Sequence, residues 1–206
     1  MGTDMTTTTP RALISAMQVT LDGYILGPEG EADWVDSWAD GLERLPPVDA
    51  FVLGGGMFPG YEQFWAAILD DTGAATDMLG RAPYPREVAY ARVAAETPHL
   101  VLSTTLADTT WPTARIVRDI EEIRGLRQQP GNAFYVVGGP GLVASLVNAD
   151  LLDELHLIVH PVATGGGTAL FGGIAERQAL EFVSAEPAAS GRLHLTYRLA
   201  ADATGG

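Results

Sequence analysis

Phe134-Tyr135-Val136-Val137-Gly138-Gly139-Pro140-Gly141-Leu142-Val143-Ala144-Ser145-Leu146-Val147 changes its period halfway along. The first four residues form a continuous apolar run of the length of a buried strand, while Leu142, Val143, Leu146 and Val147 recur at the spacing of one helical face. Between them Gly138-Gly139-Pro140-Gly141 reads as a tight turn. A strand, a glycine turn and a helix in that order are the repeating unit of an open α/β sheet, in which the helix begins beside the carboxyl end of its strand. Glycines there permit close backbone approach, and the first helical turn offers free N–H groups at the positive end of its dipole, a combination that suits phosphate. The same glycines also serve tight packing, and the run is not the G-x-G-x-x-G dinucleotide fingerprint, so both roles stay open on the local sequence.

The same alternation continues in both directions. Upstream, Arg11–Thr20 reads as an apolar, β-branched strand that runs into a loop carrying Asp22-Gly23 and then Gly27-Pro28-Glu29-Gly30. With Asp33 as N-cap, Trp34, Val35 and Trp38 predict a short helix ending before Pro46-Pro47. Ala50–Leu53 predicts a strand stopping at Gly54-Gly55-Gly56, followed by a helix over Tyr61–Leu69, a loop over Asp70–Pro85 and a helix over Arg86–Glu96. Strands follow at Leu100–Ser103 and Ala114–Val117, with a helix over Ile120–Gln128. Downstream, Leu155–Val159 is another apolar strand. Leu180 and Phe182, a turn at Ala188–Gly191, and alternating Leu193, Leu195, Tyr197 and Leu199 predict a terminal β-hairpin. The order predicts an α/β fold with a mixed, mainly parallel central sheet, flanking helices and a C-terminal antiparallel hairpin. Residues 11–200 form one expected domain, with 1–10 as a flexible leader and 201–206 as a flexible tail. Ligands of such sheets sit beyond the carboxyl ends of the strands, where Gly54–Gly56, Ser103-Thr104-Thr105 and Gly138–Gly141 converge.

Composition narrows the chemistry. The 206 residues hold 12 basic against 26 acidic side chains, for a formal charge of -14, which argues against nucleic acid or an anionic membrane surface as partner. All the basic residues are Arg, and there is no Cys. Lysine Schiff bases, thiolate nucleophiles, disulfides and Cys-ligated metals are therefore excluded. The Thr-rich start lacks the apolar core of a signal peptide, and the long uncharged stretches are interrupted by Gly and Pro, so a soluble, cytoplasmic protein is expected.

Several side chains are candidates for chemistry. Asp153-Glu154 precedes the strand Leu155–Val159 and serves either as a cleft acid or as a turn cap; Asp22 offers the same choice after the first strand. His156 and His160 share a strand face but lack a local third ligand, and no metal site is expected. Trp34, Trp38, Phe58, Tyr61, Phe64 and Trp65 crowd two segments, as core or as surfaces on which a flat heterocycle stacks. No G-x-S-x-G elbow and no P-loop are present.

These residues together resemble the dihydrofolate reductase-like proteins that share the reductase domain of bacterial riboflavin biosynthesis. The carriers are Val19-Thr20-Leu21-Asp22-Gly23-Tyr24-Ile25, Leu53-Gly54 with Tyr61 downstream, Leu102-Ser103-Thr104-Thr105-Leu106 followed by Trp111, and Val136-Val137-Gly138-Gly139. The most specific is Leu151-Leu152-Asp153-Glu154-Leu155 running to His160-Pro161-Val162 and Gly165-Gly166-Gly167 with Leu170-Phe171. The resemblance spans about Arg11 to Leu199. It implies a homodimer in which NADPH or NADH delivers hydride to a C=N or C=O of a small pteridine- or pyrimidine-like heterocycle. Under it, Gly54, Gly55, Gly56, Ser103, Thr104 and Gly138, Gly139, Pro140, Gly141 and Leu142 hold the nucleotide, with Ala16 and Met17 beside the nicotinamide. Asp22 and Glu154 face the substrate as acids, and Tyr24–Trp34 forms a lid. Tyr24, Trp34, Phe58 and Tyr61 are then the expected substrate contacts.

One departure bears on the cofactor. Members of that family usually carry a basic residue after the glycine at position 54 and commonly another after the serine at 103, where this chain has Gly55-Gly56 and Thr104. A 2′-phosphate is normally met by Arg or Lys. The choice between NADPH and NADH is left open, with Arg81, Arg86, Arg115 and Arg118 as possible replacements. The alternative is a family member that has lost its nucleotide and binds a small molecule without redox chemistry.

Overall fold

The computed structural model describes residues 10–76 and 79–200; the two ends read as leader and tail fall outside these, apart from Pro10. Strand β1 (Leu13–Thr20) is buried along its whole length, which requires neighbours on both edges and cover on both faces. It has both. The eight-stranded sheet runs β5-β4-β3-β6-β1-β7-β10-β9, with β3 (Val48–Gly54), β4 (His99–Leu102), β5 (Ala114–Val117), β6 (Ala133–Gly138) and β7 (Glu154–His160) parallel to β1. The hairpin β9 (Leu180–Pro187) and β10 (Leu193–Leu199) closes one edge antiparallel.

Alternation along the strands splits the core in two. Leu13, Met17, Val19, Phe134 and Val136 pack under α3 (Ile120–Arg127) and α4 (Pro140–Asn148). Ala16, Phe51, Leu53 and Tyr135 face α1 (Phe58–Asp70) and α2 (Pro85–Glu96). Each helix starts as its sequence dictates. Pro occupies the first turn of α1, α2 and α4, and the Asp119 carboxylate caps α3 by accepting from the Glu121 N–H at 3.0 Å.

Two local expectations are corrected. No α-helix follows Asp33; the segment is a series of turns ending in a 3-10 turn at Leu42–Arg44. Its polar groups are used across the fold instead. The Ser37 carbonyl accepts from Gln18 at 2.7 Å, Asp36 and Asp40 bind Arg86, and Gly41 at φ 107° breaks the helical path. The loop after β1 is also partly ordered, because β2 (Tyr24–Leu26) pairs antiparallel with β8 (Thr168–Ala169) in a separate ribbon.

Candidate active site

The connection from β1 to β3 skips the slot that β6 later fills, so the carboxyl ends of β1, β6 and β3 open into one crevice. A cavity of about 630 Å³ lies there. Its floor is Ala16, Met17 and Gln18 of β1 with Tyr135 and Val137 of β6. One wall comes from Gly54, Gly56 and Met57 after β3 and from Gly60, Tyr61, Phe64 and Trp65 of α1, with Tyr90 of α2 behind. Gly139, Pro140, Gly141 and Leu142 at the start of α4 form the opposite wall, and Ile25, Leu26, Trp38 and Asp40 complete the rim.

The nucleotide corner is shaped by backbone. Gly138 and Gly139 have φ of 130° and 85°, conformations that side chains disfavour, and a Cβ on Gly138 would lie 2.9 Å from the Met17 sulfur. Pro140 opens α4 without an N–H to lose, which leaves the N–H groups of Gly141 and Leu142 at the helix start beside the cavity. Gly55 is pressed on the Ser103 side chain, whereas a Cβ on Gly56 would meet nothing within 4 Å.

Ser103 does not present its hydroxyl to the cavity. Its Oγ accepts from the N–H groups of Thr105 and Leu106 at 3.3 and 2.9 Å and so closes the turn after β4. Arg118 braces the same turn, donating to the carbonyls of Ser103 and Leu106 at 2.9 and 2.7 Å. Arg81, Arg86 and Arg115 are engaged by Glu87, by Asp36 with Asp40, and by Glu122; among the described residues Arg118 has no carboxylate partner.

Polar groups on the cavity are few and anchored from behind. Gln18 accepts from His160 Nε2 at 2.9 Å and donates to the Ser37 carbonyl at 2.7 Å, which fixes its amide in the floor. Burial, aided by the Arg192 charge, pushes His160 down, so the ring is neutral and carries its proton on Nε2. Tyr61 Oη lies 3.1 Å from Nε2 of His99, whose Nδ1 is 2.8 Å from the Thr97 carbonyl. Burial lowers His99 to about 4. A neutral ring must donate from Nδ1 to that carbonyl, which makes Nε2 the acceptor of the Tyr61 hydroxyl. Asp40 accepts from Arg86 Nε and Arg192 Nη1, both at 2.8 Å.

Of the sequence candidates, Ala16, Met17, Gly54, Gly56, Gly139, Pro140, Gly141, Leu142 and Tyr61 line the cavity. Gly55, Ser103 and Thr104 in the adjoining turns and Gly138 at the end of β6 are not on its surface. The two acids expected at the substrate are not brought there. Asp22 accepts from the Thr20 hydroxyl at 2.6 Å and the Gly165 N–H at 2.7 Å, bonds that hold its carboxyl below the usual range and tie two loops together. Glu154 stands at the amino end of β7, opposite Ile14 in the register, and bonds His156 at 2.6 Å; its neighbour Asp153 accepts from the Leu13 N–H at 2.7 Å and pairs with Arg127. A parallel strand that delivers its carboxyl end to the cavity necessarily carries its first residues away from it.

Three aromatic candidates are likewise displaced. Phe58 is buried in the core, and neither Tyr24 nor Trp34 reaches the cavity, where their neighbours Ile25, Leu26 and Trp38 stand instead. Gln18, Asp40, Tyr90 and Tyr135 were not anticipated. Gln18 had a readable signal, a polar residue two places from Ala16 inside an apolar strand; the other three had none, because distant elements bring them in.

Residues 11–193 match the RibD C-terminal domain family. YyaP, an uncharacterised protein of Bacillus subtilis (strain 168), is 26% identical over 191 residues, or 91% of this chain and 94% of its own length. Dihydrofolate reductase of Enterococcus faecalis, solved with NADP(H), superposes with a TM-score of 0.59 at 18% identity, covering 91% of this chain and 96% of the reductase. The Thermotoga maritima diaminohydroxyphosphoribosylaminopyrimidine deaminase/5-amino-6-(5-phosphoribosylamino)uracil reductase gives a TM-score of 0.60 at 16% identity over 93% of this chain and 57% of its own. Those two likenesses share the dihydrofolate reductase-like fold.

Proposed function

This chain belongs to the RibD C-terminal domain family, and from that premise we propose that it is a reductase that uses NADPH or NADH to transfer hydride to a C=N or C=O of a small heterocycle. The observation that carries the proposal is the glycine cradle at Gly138–Gly139 opening onto the start of α4, on the same cavity as an aromatic wall. The cradle fits a dinucleotide: a pyrophosphate would accept from the N–H groups of Gly141 and Leu142, and Ala16 and Met17 would flank the nicotinamide. The bound cofactor supplies the hydride. The chain would orient it, exclude water with Trp65, Phe64 and Met57, and offer the Gln18 amide as a neutral polar contact. Arg118, which has no carboxylate partner among the described residues and braces the turn beside Gly55, would be the residue to meet a 2′-phosphate.

A second copy of the chain is proposed to cover β9, whose Phe182 is 60% exposed at the sheet edge, giving a homodimer. No helix is long and apolar enough among the described residues to cross a membrane, and a cytoplasmic setting is proposed.

Titration of the purified protein with NADPH and NADH, following nicotinamide fluorescence and Tm together, tests the reductase assignment. Micromolar binding of either, with a rise in Tm, is expected. Silence for both up to millimolar overturns it in favour of the second reading, a nucleotide-free small-molecule binder, which the absence of basic side chains among the described residues lining the cavity favours.

A further inference from the structure

Residues 33–45 run between β2 and β3 past the cavity, to which they contribute Trp38 and Asp40. At Gly41 they lie directly on the sheet: a Cβ there would be 3.5 Å from Cβ of Ala16, on the cavity floor, and 3.6 Å from Cδ1 of Ile158. The segment therefore covers part of that floor.

Its fastening differs from that of its neighbours. The preceding β2 is sewn to β8 by a strand ladder. Within 33–45 the backbone–backbone hydrogen bonds close only local turns, from Val35 to Ala32, Arg44 to Gly41 and Leu45 to Leu42. Apolar anchorage is slight, with Ala39 buried, Leu42 and Leu45 half-buried against the core beneath α1 and α2, and Trp38 46% exposed. What holds the segment to the body is polar side chains. Gln18 donates to the Ser37 carbonyl at 2.7 Å and Arg81 to the Asp36 carbonyl at 2.8 Å. Arg86 of α2 bridges two carboxylates of the segment, Asp36 at 2.6 Å and Asp40 at 2.8 Å. Arg192, beside the turn of the hairpin, holds Asp40 from the other side at 2.8 Å, and Arg44 pairs with Glu186 of β9. Exposed ion pairs are weak singly and are screened by salt, and a segment with few buried apolar contacts is one that opens locally.

We propose that residues 33–45 are a flap over the cavity, latched by Arg86 across Asp36 and Asp40, whose lifting admits a ligand to the floor at Ala16 and whose closing lays Trp38 over the mouth. Gly41, at φ 107°, gives it a pivot that other residues disfavour. The device governs access and does not depend on whether the ligand is reduced.

The chain has no Cys, so one placed beneath the flap reports its opening. Ala16→Cys, and Gly56→Cys as a reference in open space, are labelled with the uncharged disulfide 4,4′-dithiodipyridine, with folding checked by Tm. Relative to Gly56→Cys, labelling of Ala16→Cys is expected to speed up at least fivefold from about 0.05 to about 1 M NaCl, and by a similar factor at low salt when Arg86→Gln is added. Amide hydrogen exchange, followed by mass spectrometry in the protein without added cysteines, is expected to quicken under the same two changes over residues 33–45 and not over β1. A labelling ratio unmoved by salt or by Arg86→Gln, or exchange over 33–45 as slow as over β1, overturns the proposal. If Ala16→Cys does not fold, the exchange measurement alone decides.

Discussion

At the amino ends of β1, β3 and β7, polar side chains pair densely with one another: Arg11 with Asp49, Arg127 with Asp153, Glu154 with His156, and Asp49 also accepts from the Asn132 N–H at 2.9 Å. At the carboxyl ends of β1, β3 and β6 the chain turns on glycines and leaves helix N–H groups beside a cavity in which Asp40 is the one charged side chain among the described residues. The contrast separates two uses of polar atoms. Where the groups pair with one another they hold the strands in register; the helix N–H groups left free beside the cavity are available to a ligand.

His99 joins the two ends, since it begins β4 and yet bonds Tyr61 of the cavity wall, and its protonation should give the largest effect. Its pKa falls from an unfolded value near 6.5 to about 4. The neutral ring therefore contributes stability that is complete above about 6.5 and is lost as pH falls towards 4, of order 3 kcal/mol in total. Urea midpoints at pH 7.5 and 4.5 should show that loss, and His99→Gln should flatten the slope. An unchanged slope would detach His99 from the acid response.

Asp153→Ala should cost about 2 kcal/mol, because the Leu13 N–H and the Arg127 guanidinium both lose an acceptor. If the amino end is structural, nucleotide binding by the folded variant is unchanged; a fall in affinity at constant Tm would erase the distinction between the ends. At the other end, Gly56→Arg has open space and an ordinary backbone conformation. It should tighten NADPH binding roughly tenfold, about 1.4 kcal/mol of added charge-assisted contact, with little change in Tm. Gly55→Arg should instead destabilise, since its Cβ meets Ser103. The smallest effect is expected of Glu154→Gln, about 0.5 kcal/mol or less in stability and none on ligand binding, measured by Tm and calorimetry. A large drop in affinity would bring that carboxylate back as a site residue.

The strands and helices were largely legible because their periods are local. β1, β6 and α4 are written in apolar runs and helical spacing, and the hairpin in simple alternation. The segment after Asp33 was not, because Asp36, Ser37 and Asp40 bond to Arg86 and Gln18, neither of which is near in sequence. The candidate site divides in the same way. Its glycine cradle follows from a backbone path at positive φ that favours glycine, whereas Asp153-Glu154 and Asp22 are acids whose environment no local pattern states.

By itself the sequence determined the mainly parallel sheet, the family and the glycine corner, since patterning and backbone conformation depend on neighbouring residues along the chain. Only the tertiary structure decided which end of a strand each acid occupies, that Trp38 rather than Trp34 reaches the cavity, and that Arg86 and Arg192 neutralise Asp40. Those outcomes depend on strand direction and on contacts between distant segments, and the energy of a buried charge is set by what surrounds it in space.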